Sequence, residues 1–151
     1  GGINFADMAN LTRQNIVDGR LVYRRQKTGK LLNLPIHSRA MEIVESYASG
    51  NIYLFPIYSK EHKTIQQKIN RHHKVITKVN RALAEIGNEL KIPIKLTTYV
   101  ARHSYATVLK RSGVPTSIIS ESLGHSSERV TQIYLDSFEN ERMNEALRNL
   151  L

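Results

Sequence analysis

One long amphipathic segment constrains the fold more strongly than any other feature of this sequence. Residues 61–90 contain no proline and are rich in helix-forming residues. Apolar positions recur there at steps of three and four, which places them on one stripe of an α-helix. The segment is therefore predicted to be a long amphipathic helix. Its stripe consists of Ile65, Ile69, His72, Ile76, Val79, Leu83, Ile86 and Leu90.

The segments around this helix predict a mainly α domain with one small β-hairpin, which is an α+β fold class. Residues 19–25 and 30–36 are β-prone and flank a turn signal at 26–29, the pattern of two antiparallel strands. Residues 52–58 are apolar but contain Pro56, and we expect a short extended link there. Further helices are predicted over residues 3–11, 38–47, 99–112, 116–123 and 138–151, and from Ser126 or Ser127 through Tyr134.

The charge of the chain narrows the choice of partners. Lys and Arg total 22 against 13 Asp and Glu, which leaves a net charge of +9 over 151 residues. A basic domain of this size favours polyanions, above all nucleic acid, although an ordinary basic protein remains the alternative. No apolar run approaches the length of a membrane span, and residues 1–10 lack the pattern of a signal peptide. The absence of cysteine excludes disulfides and cysteine-based zinc sites.

A histidine pair lies inside the long predicted helix. His72 and His73 are adjacent, and adjacent helical side chains point about 100° apart, so the two rings do not readily share one metal ion. We therefore expect the pair to face solvent or DNA. No cluster of Asp, Glu or His elsewhere in the sequence has the spacing of metal ligands, and no metal site is predicted.

Three polar residues follow one another on the predicted helices of the second half. Arg102 lies beside an apolar helical stripe, where an arginine either reaches out to solvent or is held at a site. His125 follows Gly124 at a predicted helix break, and Tyr134 lies on the next helix. Taken by periodicity alone, Tyr134 shares an apolar stripe with neighbouring positions of its helix and is predicted to lie in the core. Those neighbours are Val130 and Ile133.

The order of these residues and the stretches around them resemble the tyrosine recombinases, the phage-integrase family of site-specific DNA recombinases. The stretches are YRRQKTGKLLNLPI (23–36), LTTYVARHSYAT (96–107), GVPTSIISESLGHSS (113–127) and TQIYLDS (131–137). Each is weak alone, but they occur in the family's order over nearly the whole chain. The resemblance implies the fold of a tyrosine recombinase catalytic domain.

The resemblance also implies a role for each residue in transesterification at a DNA phosphate. Tyr134 is the implied nucleophile, which forms a 3′-phosphotyrosine intermediate and needs cationic or basic neighbours for activation. Arg102 is the implied phosphate clamp, because a guanidinium matches two phosphate oxygens. Lys27 is the implied general acid for the leaving 5′-oxygen, and His125 a phosphate or proton partner. Such a scheme requires no metal and no cofactor.

Two positions depart from the family's pattern. Tyr99 stands where the family commonly has a histidine, and tyrosine does not act as a base near neutral pH. Asn4 stands where an arginine is usual, and its neutral amide does not replace the charge of a guanidinium. A cation from elsewhere is expected to fill that place. The candidates near the hairpin are Arg24, Arg25 and Lys30.

Double-stranded DNA is the expected partner, bound mainly through its phosphates. The candidate DNA-binding residues are Arg13, Arg24, Lys27, Arg71, Lys74 and Lys78. The resemblance further implies a homo-oligomer on DNA, a tetrameric synapse in which the helix over 138–151 docks on a neighbouring subunit. Packing of that helix on its own domain remains open. We expect a chromosome-associated protein of the bacterial cytoplasm.

Residues 1–151 are predicted to form a single catalytic domain, because no repeat or internal boundary interrupts them. The resemblance implies a DNA core-binding domain and at least one further helix before Gly1, so we expect a fragment truncated at the N-terminus. The alternative function is a non-catalytic, sequence-specific DNA-binding module, since residues 112–134 also fit a helix-turn-helix.

Overall fold

A small antiparallel sheet lies in the first part of the chain. The computed structural model describes residues 2–47 and 52–136. The strands are β1 (Ile16–Val17), β2 (Arg20–Arg24) and β3 (Leu31–Pro35), in the order β1-β2-β3. Tyr23 pairs with Leu32 in the β2–β3 register. The predicted hairpin is confirmed, whereas the two-residue strand β1 was too short for a pattern to reveal.

Helices make up most of the remaining described structure. They are α1 (Phe5–Ala9), a 3₁₀ turn (Arg13–Asn15), α2 (Ser38–Tyr47), α3 (Ile65–Glu89), α4 (Thr98–Arg111), α5 (Thr116–Leu123) and α6, which spans 128–136. The long predicted helix is confirmed as α3, which begins after a capping box formed by Thr64 and Gln67. Thr97 caps α4 by accepting a hydrogen bond from the Val100 amide.

Two sequence-based expectations about local structure are wrong. The helix expected over 3–11 is only the short α1, because Asn4 caps its first turn and the chain leaves the helix at Asn10. Residues 52–58 form bends and turns instead of an extended link. The reason is burial, since Leu54, Ile57 and Tyr58 all face apolar clusters and an extended strand would turn alternate side chains outward. The predicted helix over 138–151 lies outside the described residues.

Three apolar clusters hold these elements together. The first lies under the sheet and α2, the second joins α1 to α3, and the third joins α4 to α5 and α6. The middle of α3 packs against the second cluster through Ile76 and Val79 of the predicted stripe and through Val75 beside it. The two ends of the stripe, Ile65 and Leu90, are 79% and 66% exposed. No helix in residues 2–47 and 52–136 is both long and apolar enough to cross a membrane.

The end of α5 meets the sheet at Gly124. This residue closes the helix in the left-handed conformation with φ of 63°, where glycine is the favoured residue. Leu32 of β3 and Arg25, which follows β2, lie directly against it. The turn after α5 is thereby brought to the turn of the β-hairpin.

Replacing Gly124 by alanine is expected to destabilise the chain more than replacing Gly113. Both have positive φ, 63° and 77°, so each alanine costs about 1–2 kcal/mol of backbone strain. A Cβ at Gly124 would also lie 3.0 Å from Cδ of Arg25 and 3.1 Å from Cδ1 of Leu32, whereas nothing lies within 4 Å at Gly113. Urea unfolding should show about 1–3 kcal/mol of additional loss for Gly124→Ala. Equal losses would contradict this packing.

Candidate active site

Arg102 on α4 is a buried charged group that several hydrogen bonds hold in place. It is 5% exposed and donates hydrogen bonds to two main-chain carbonyls. One guanidinium nitrogen donates to the carbonyl of Gly2, and the other donates to that of Leu123 at 2.7 Å. The second nitrogen also lies 3.3 Å from Nε2 of His125. Arg102 is therefore held at a site, and the alternative in which it reaches out to solvent is wrong.

The imidazole of His125 is oriented from both sides. Nδ1 lies 2.8 Å from Oγ1 of Thr131, which is fully buried on α6. Because the guanidinium of Arg102 is only a donor, Nε2 of His125 must accept from it. The proton of the neutral ring is then on Nδ1 and is donated to Thr131. Sequence reasoning missed Thr131, whose hydroxyl gives no signal outside the fold.

Burial, together with the cations around it, keeps His125 uncharged. Burial first, and then Arg102 and Arg25, lower the pKa of His125 to about 4, with smaller contributions from Lys27 and Lys30. At neutral pH the ring is therefore neutral, in the tautomer that the hydrogen bonds require.

Tyr134 lies on α6 with a half-buried side chain and a buried hydroxyl oxygen. Its ring stacks on His103, with 4.5 Å between ring centroids and 7° between planes. The ring of His125 lies edge-on at 5.6 Å. Burial first, and Tyr99 second, raise the pKa of Tyr134 against the opposing effect of Arg102. The hydroxyl is therefore protonated at neutral pH.

The face of α6 that meets the core is not the one that periodicity predicted. Val130 and Ile133 are 45% and 62% exposed, whereas Thr131 and Leu135 are buried. The reason is that Leu135 packs into the apolar cluster between α4 and α5. This packing orients the predicted apolar stripe of α6, with Val130 and Ile133, towards a cavity. Tyr134 lies between these two faces.

The predicted residues meet in one cavity of about 500 Å³. Its polar and aromatic lining comes from Arg25, Lys27, Thr28, Tyr99, Arg102, His125, Ser126 and Tyr134. Lys27 is exposed in the hairpin turn, and it also borders a second cavity with Asn4, Tyr99 and Arg102. The structure thus places four residues that are far apart in sequence, Lys27, Arg102, His125 and Tyr134, around one space.

Arg25 is the buried cation among the three hairpin candidates. It is 8% exposed, donates to the carbonyl of Gly124 at 2.7 Å, and has Nε 4.0 Å from a carboxylate oxygen of Asp7. Arg24 is exposed and donates to the carbonyl of Gly29. The alternation of a strand could have identified Arg25, because it shares a face with the buried Tyr23.

The two positions that depart from the family's pattern lie at the edge of the site. The side-chain amide of Asn4 is bonded to Asp7 in α1. Its Oδ1 accepts from the main-chain amide of Asp7, and its Nδ2 donates to the carboxylate of Asp7, both at 2.8 Å. Asp7 also accepts from the Gln26 amide at 2.9 Å, so this local network ties α1 to the hairpin turn. Tyr99 is 60% exposed and lies edge-on to His103.

The candidate DNA-binding residues differ in how freely they present their charge. Arg13, Arg24, Lys27, Lys74 and Lys78 are exposed. Arg71, in contrast, donates to the carbonyls of Ile57 at 2.9 Å and Pro56 at 3.3 Å, so it also holds the 52–58 turns against α3. His72 packs edge-on against Phe5, whereas His73 is exposed. Within residues 2–47 and 52–136, no group of three or more His, Asp or Glu could hold a metal ion.

The chain is similar in sequence to known proteins. A family model described as the phage integrase family matches residues 1–141. The chain belongs to the phage integrase family. This confirms the resemblance drawn from the four motifs. Among curated members, the tyrosine recombinase XerA of Pyrococcus furiosus is 31% identical over 140 residues, covering 88% of this chain and 45% of the relative. XerD of Halalkalibacterium halodurans is 30% identical over 137 residues, covering 88% and 44%.

Solved structures of phage integrase family members share the fold. The crystal structure of a XerA recombinase matches with a TM-score of 0.64 at 24% identity, covering 96% of this chain and 53% of that one. A XerH recombinase bound to its palindromic difH substrate, in a post-cleavage complex, matches with a TM-score of 0.63 at 18% identity, covering 97% and 41%. The predicted α+β fold of a tyrosine recombinase catalytic domain is confirmed. The chain spans less than half the length of the curated relatives it matches.

Acidification is expected to destabilise the chain partly through His125. Its pKa is about 4 in the folded state against 6.5 for an ordinary histidine. Between these values the unfolded state binds more protons, so stability is complete above about pH 6.5 and declines as the pH falls towards about 4. His125→Asn keeps a donor for Thr131 and should flatten this part of a plot of Tm against pH. An unchanged slope in His125→Asn would contradict the assignment.

Proposed function

We propose that this chain is the catalytic unit of a site-specific DNA recombinase that cleaves and rejoins strands through Tyr134. The observation that carries the proposal is the single cavity that Tyr134 shares with Lys27, Arg102 and His125. A phenol, a guanidinium, an imidazole and an ammonium group together supply the nucleophile, charge stabilisation and proton donor for transesterification at a phosphate. The four residues lie on different elements, so only folding brings them together.

The reaction proceeds in two reversible halves. The oxygen of Tyr134 attacks the scissile phosphorus, the bond from phosphorus to the 5′-oxygen breaks, and a 3′-phosphotyrosine remains. Lys27 gives a proton to the leaving 5′-oxygen. His125 takes the phenolic proton at Nε2, which becomes available when the guanidinium of Arg102 binds the phosphate instead. A phosphate anion beside His125 raises the pKa of the ring, which makes the neutral imidazole a better acceptor. Attack by a 5′-hydroxyl of another strand reverses these transfers and rejoins the DNA.

Arg25 supplies the second guanidinium in this proposal. It is buried and borders the same cavity as Arg102, whereas the neutral Asn4 lines only the neighbouring one of these two cavities. One of its N–H groups is used by the Gly124 carbonyl, which fixes the direction of the fork. Tyr99 contributes at most a hydrogen bond to a phosphate oxygen, because it does not act as a base near neutral pH.

The substrate in this proposal is double-stranded DNA held through its phosphates. The exposed cations named above, together with Arg71, provide the charge for such contacts. A homo-oligomer on DNA, the tetrameric synapse expected from the sequence, would carry out the exchange of strands. We place the protein with the chromosome in a bacterial cytoplasm.

A nicked suicide substrate tests the nucleophile. With this chain, and with any longer polypeptide that contains it, the wild type should form an SDS-resistant protein–DNA adduct. Tyr134→Phe removes only the hydroxyl and should form none, whereas Tyr47→Phe on the exposed face of α2 should behave as wild type. An adduct with Tyr134→Phe would overturn the assignment. Sequence-specific binding by the wild type without any adduct would instead favour a non-catalytic helix-turn-helix module.

Arg25 is tested by the rate of adduct formation at saturating DNA. Arg25→Gln should slow this single-turnover rate about 10²–10³-fold, as expected for loss of one charged donor to the transition state. Arg25→Lys keeps the charge but not the fork, and should fall between wild type and Arg25→Gln.

Arg20→Gln provides the matched control for this experiment. Arg20 is an exposed arginine at the start of β2, the strand that Arg25 follows, and its side chain donates to Asn33. It should leave the rate unchanged. Because Arg25 also bonds Gly124, Tm is measured for each variant and the assay is run well below it. A folded Arg25→Gln with the wild-type rate would rule out the role.

A further inference from the structure

The ring of the proposed nucleophile lies flat against a histidine that the mechanism above does not use. The rings of His103 and Tyr134 are 4.5 Å apart at their centroids and only 7° from parallel. His103 is half-buried on α4 and follows Arg102 directly. It contacts Tyr134 without being among the described residues that line the cavity of about 500 Å³. His103 can therefore orient the ring of Tyr134 without itself lining the cavity proposed for the phosphate.

His103 is itself held in place by a second aromatic ring. Tyr99, one turn earlier on α4, lies edge-on to it with 4.0 Å between centroids and 88° between planes. Tyr99 and Tyr134 are also edge-on to each other at 6.4 Å. Edge-on and stacked arrangements are the two that aromatic rings favour. The three rings thus form a bracket between α4 and α6, defined here as Tyr99, His103 and Tyr134.

A flat neighbour controls a tyrosine in two ways. It blocks the swing about χ1 that would carry the hydroxyl towards that side, leaving fewer of the staggered wells open. It also sets the plane of the phenol ring, and the O–H bond of a phenol prefers that plane because of conjugation. The terminal rotation of tyrosine is otherwise broad. A stacked partner therefore determines both where the oxygen lies and where its proton points.

We propose that His103 is a positioning residue that fixes the ring plane and the side-chain direction of Tyr134 for attack on the phosphate. This rests on the proposed function of Tyr134. Burial first, and Arg102 second, lower the pKa of His103, so a neutral ring stacks on the phenol at pH 7. The role requires a flat ring, not an imidazole, and does not require His103 to touch DNA. Tyr99, in place of the family's histidine, serves as the outer side of the bracket.

Two substitutions separate stacking from mere space filling. His103→Phe keeps a flat ring and should keep the wild-type rate of adduct formation on the nicked substrate. His103→Leu fills similar space without a flat ring and should slow that rate about 10–100-fold, in line with the cost of a misplaced reacting group. DNA affinity should be unchanged in both, because the effect lies in the cleavage step.

A matched control accounts for lost stability. Val44→Ala removes a buried side chain from the first apolar cluster, under the sheet and α2, which contains none of the bracket residues. It should lower Tm at least as much as His103→Leu without slowing cleavage well below Tm. If His103→Leu cleaves at the wild-type rate, or if His103→Phe is as slow as His103→Leu, the positioning role is overturned.

A spectroscopic measurement tests the stack without any reaction. In protein labelled with ¹³C-tyrosine, the ring protons of Tyr134 are assigned by their loss in Tyr134→Phe. They should be shifted upfield by the ring current of His103, remain so in His103→Phe, and move towards ordinary values in His103→Leu. Unshifted resonances in the wild type would overturn the proposal. An absent adduct in the wild type would overturn the function of Tyr134 instead, and the two failures are therefore distinguishable.

Discussion

The buried guanidinium of Arg102 is the interaction on which the site depends. It binds the carbonyls of Gly2 and Leu123 and the imidazole of His125, so one side chain joins the start of the described chain, the end of α5 and the turn after it. Burial lowers its pKa, but an arginine in a protein stays charged. Its five donors exceed what these partners use among the described residues. A charged guanidinium is thus anchored by two carbonyls, and its unused donors, with the one now directed at His125, are left for an anion.

The positive charges of Arg102 and Arg25 are only partly balanced by a carboxylate within the described ranges. Arg25 lies close enough to Arg102 to lower its pKa further, and Asp7 is the carboxylate that approaches Arg25 within the described ranges. An anion between the two guanidinium groups would relieve this repulsion, so part of its binding energy would come from repulsion between the cations. The same cations oppose the burial that raises the pKa of Tyr134, but burial has the larger effect.

Much of the fold was predictable because its signals are local. Apolar steps of three and four predict α3, and β-prone runs around a turn predict the hairpin. The expectations that were wrong concern segments whose conformation depends on distant partners. Residues 52–58 are bent by the need to bury Leu54 and Ile57, and the stripe of α6 is turned outward by the packing of Leu135.

By itself, the sequence determined the kinds and order of the reactive residues, since motifs and net charge are read without a three-dimensional structure. Only the tertiary structure decided which of them meet and how. It selected Arg25 over Arg24 because the strand turns alternate side chains to opposite faces. It gave His125 a proton on Nδ1 through Thr131, and set His103 against Tyr134. These contacts join residues on separate helices and strands, and their distances depend on how the apolar clusters pack, which no local pattern encodes.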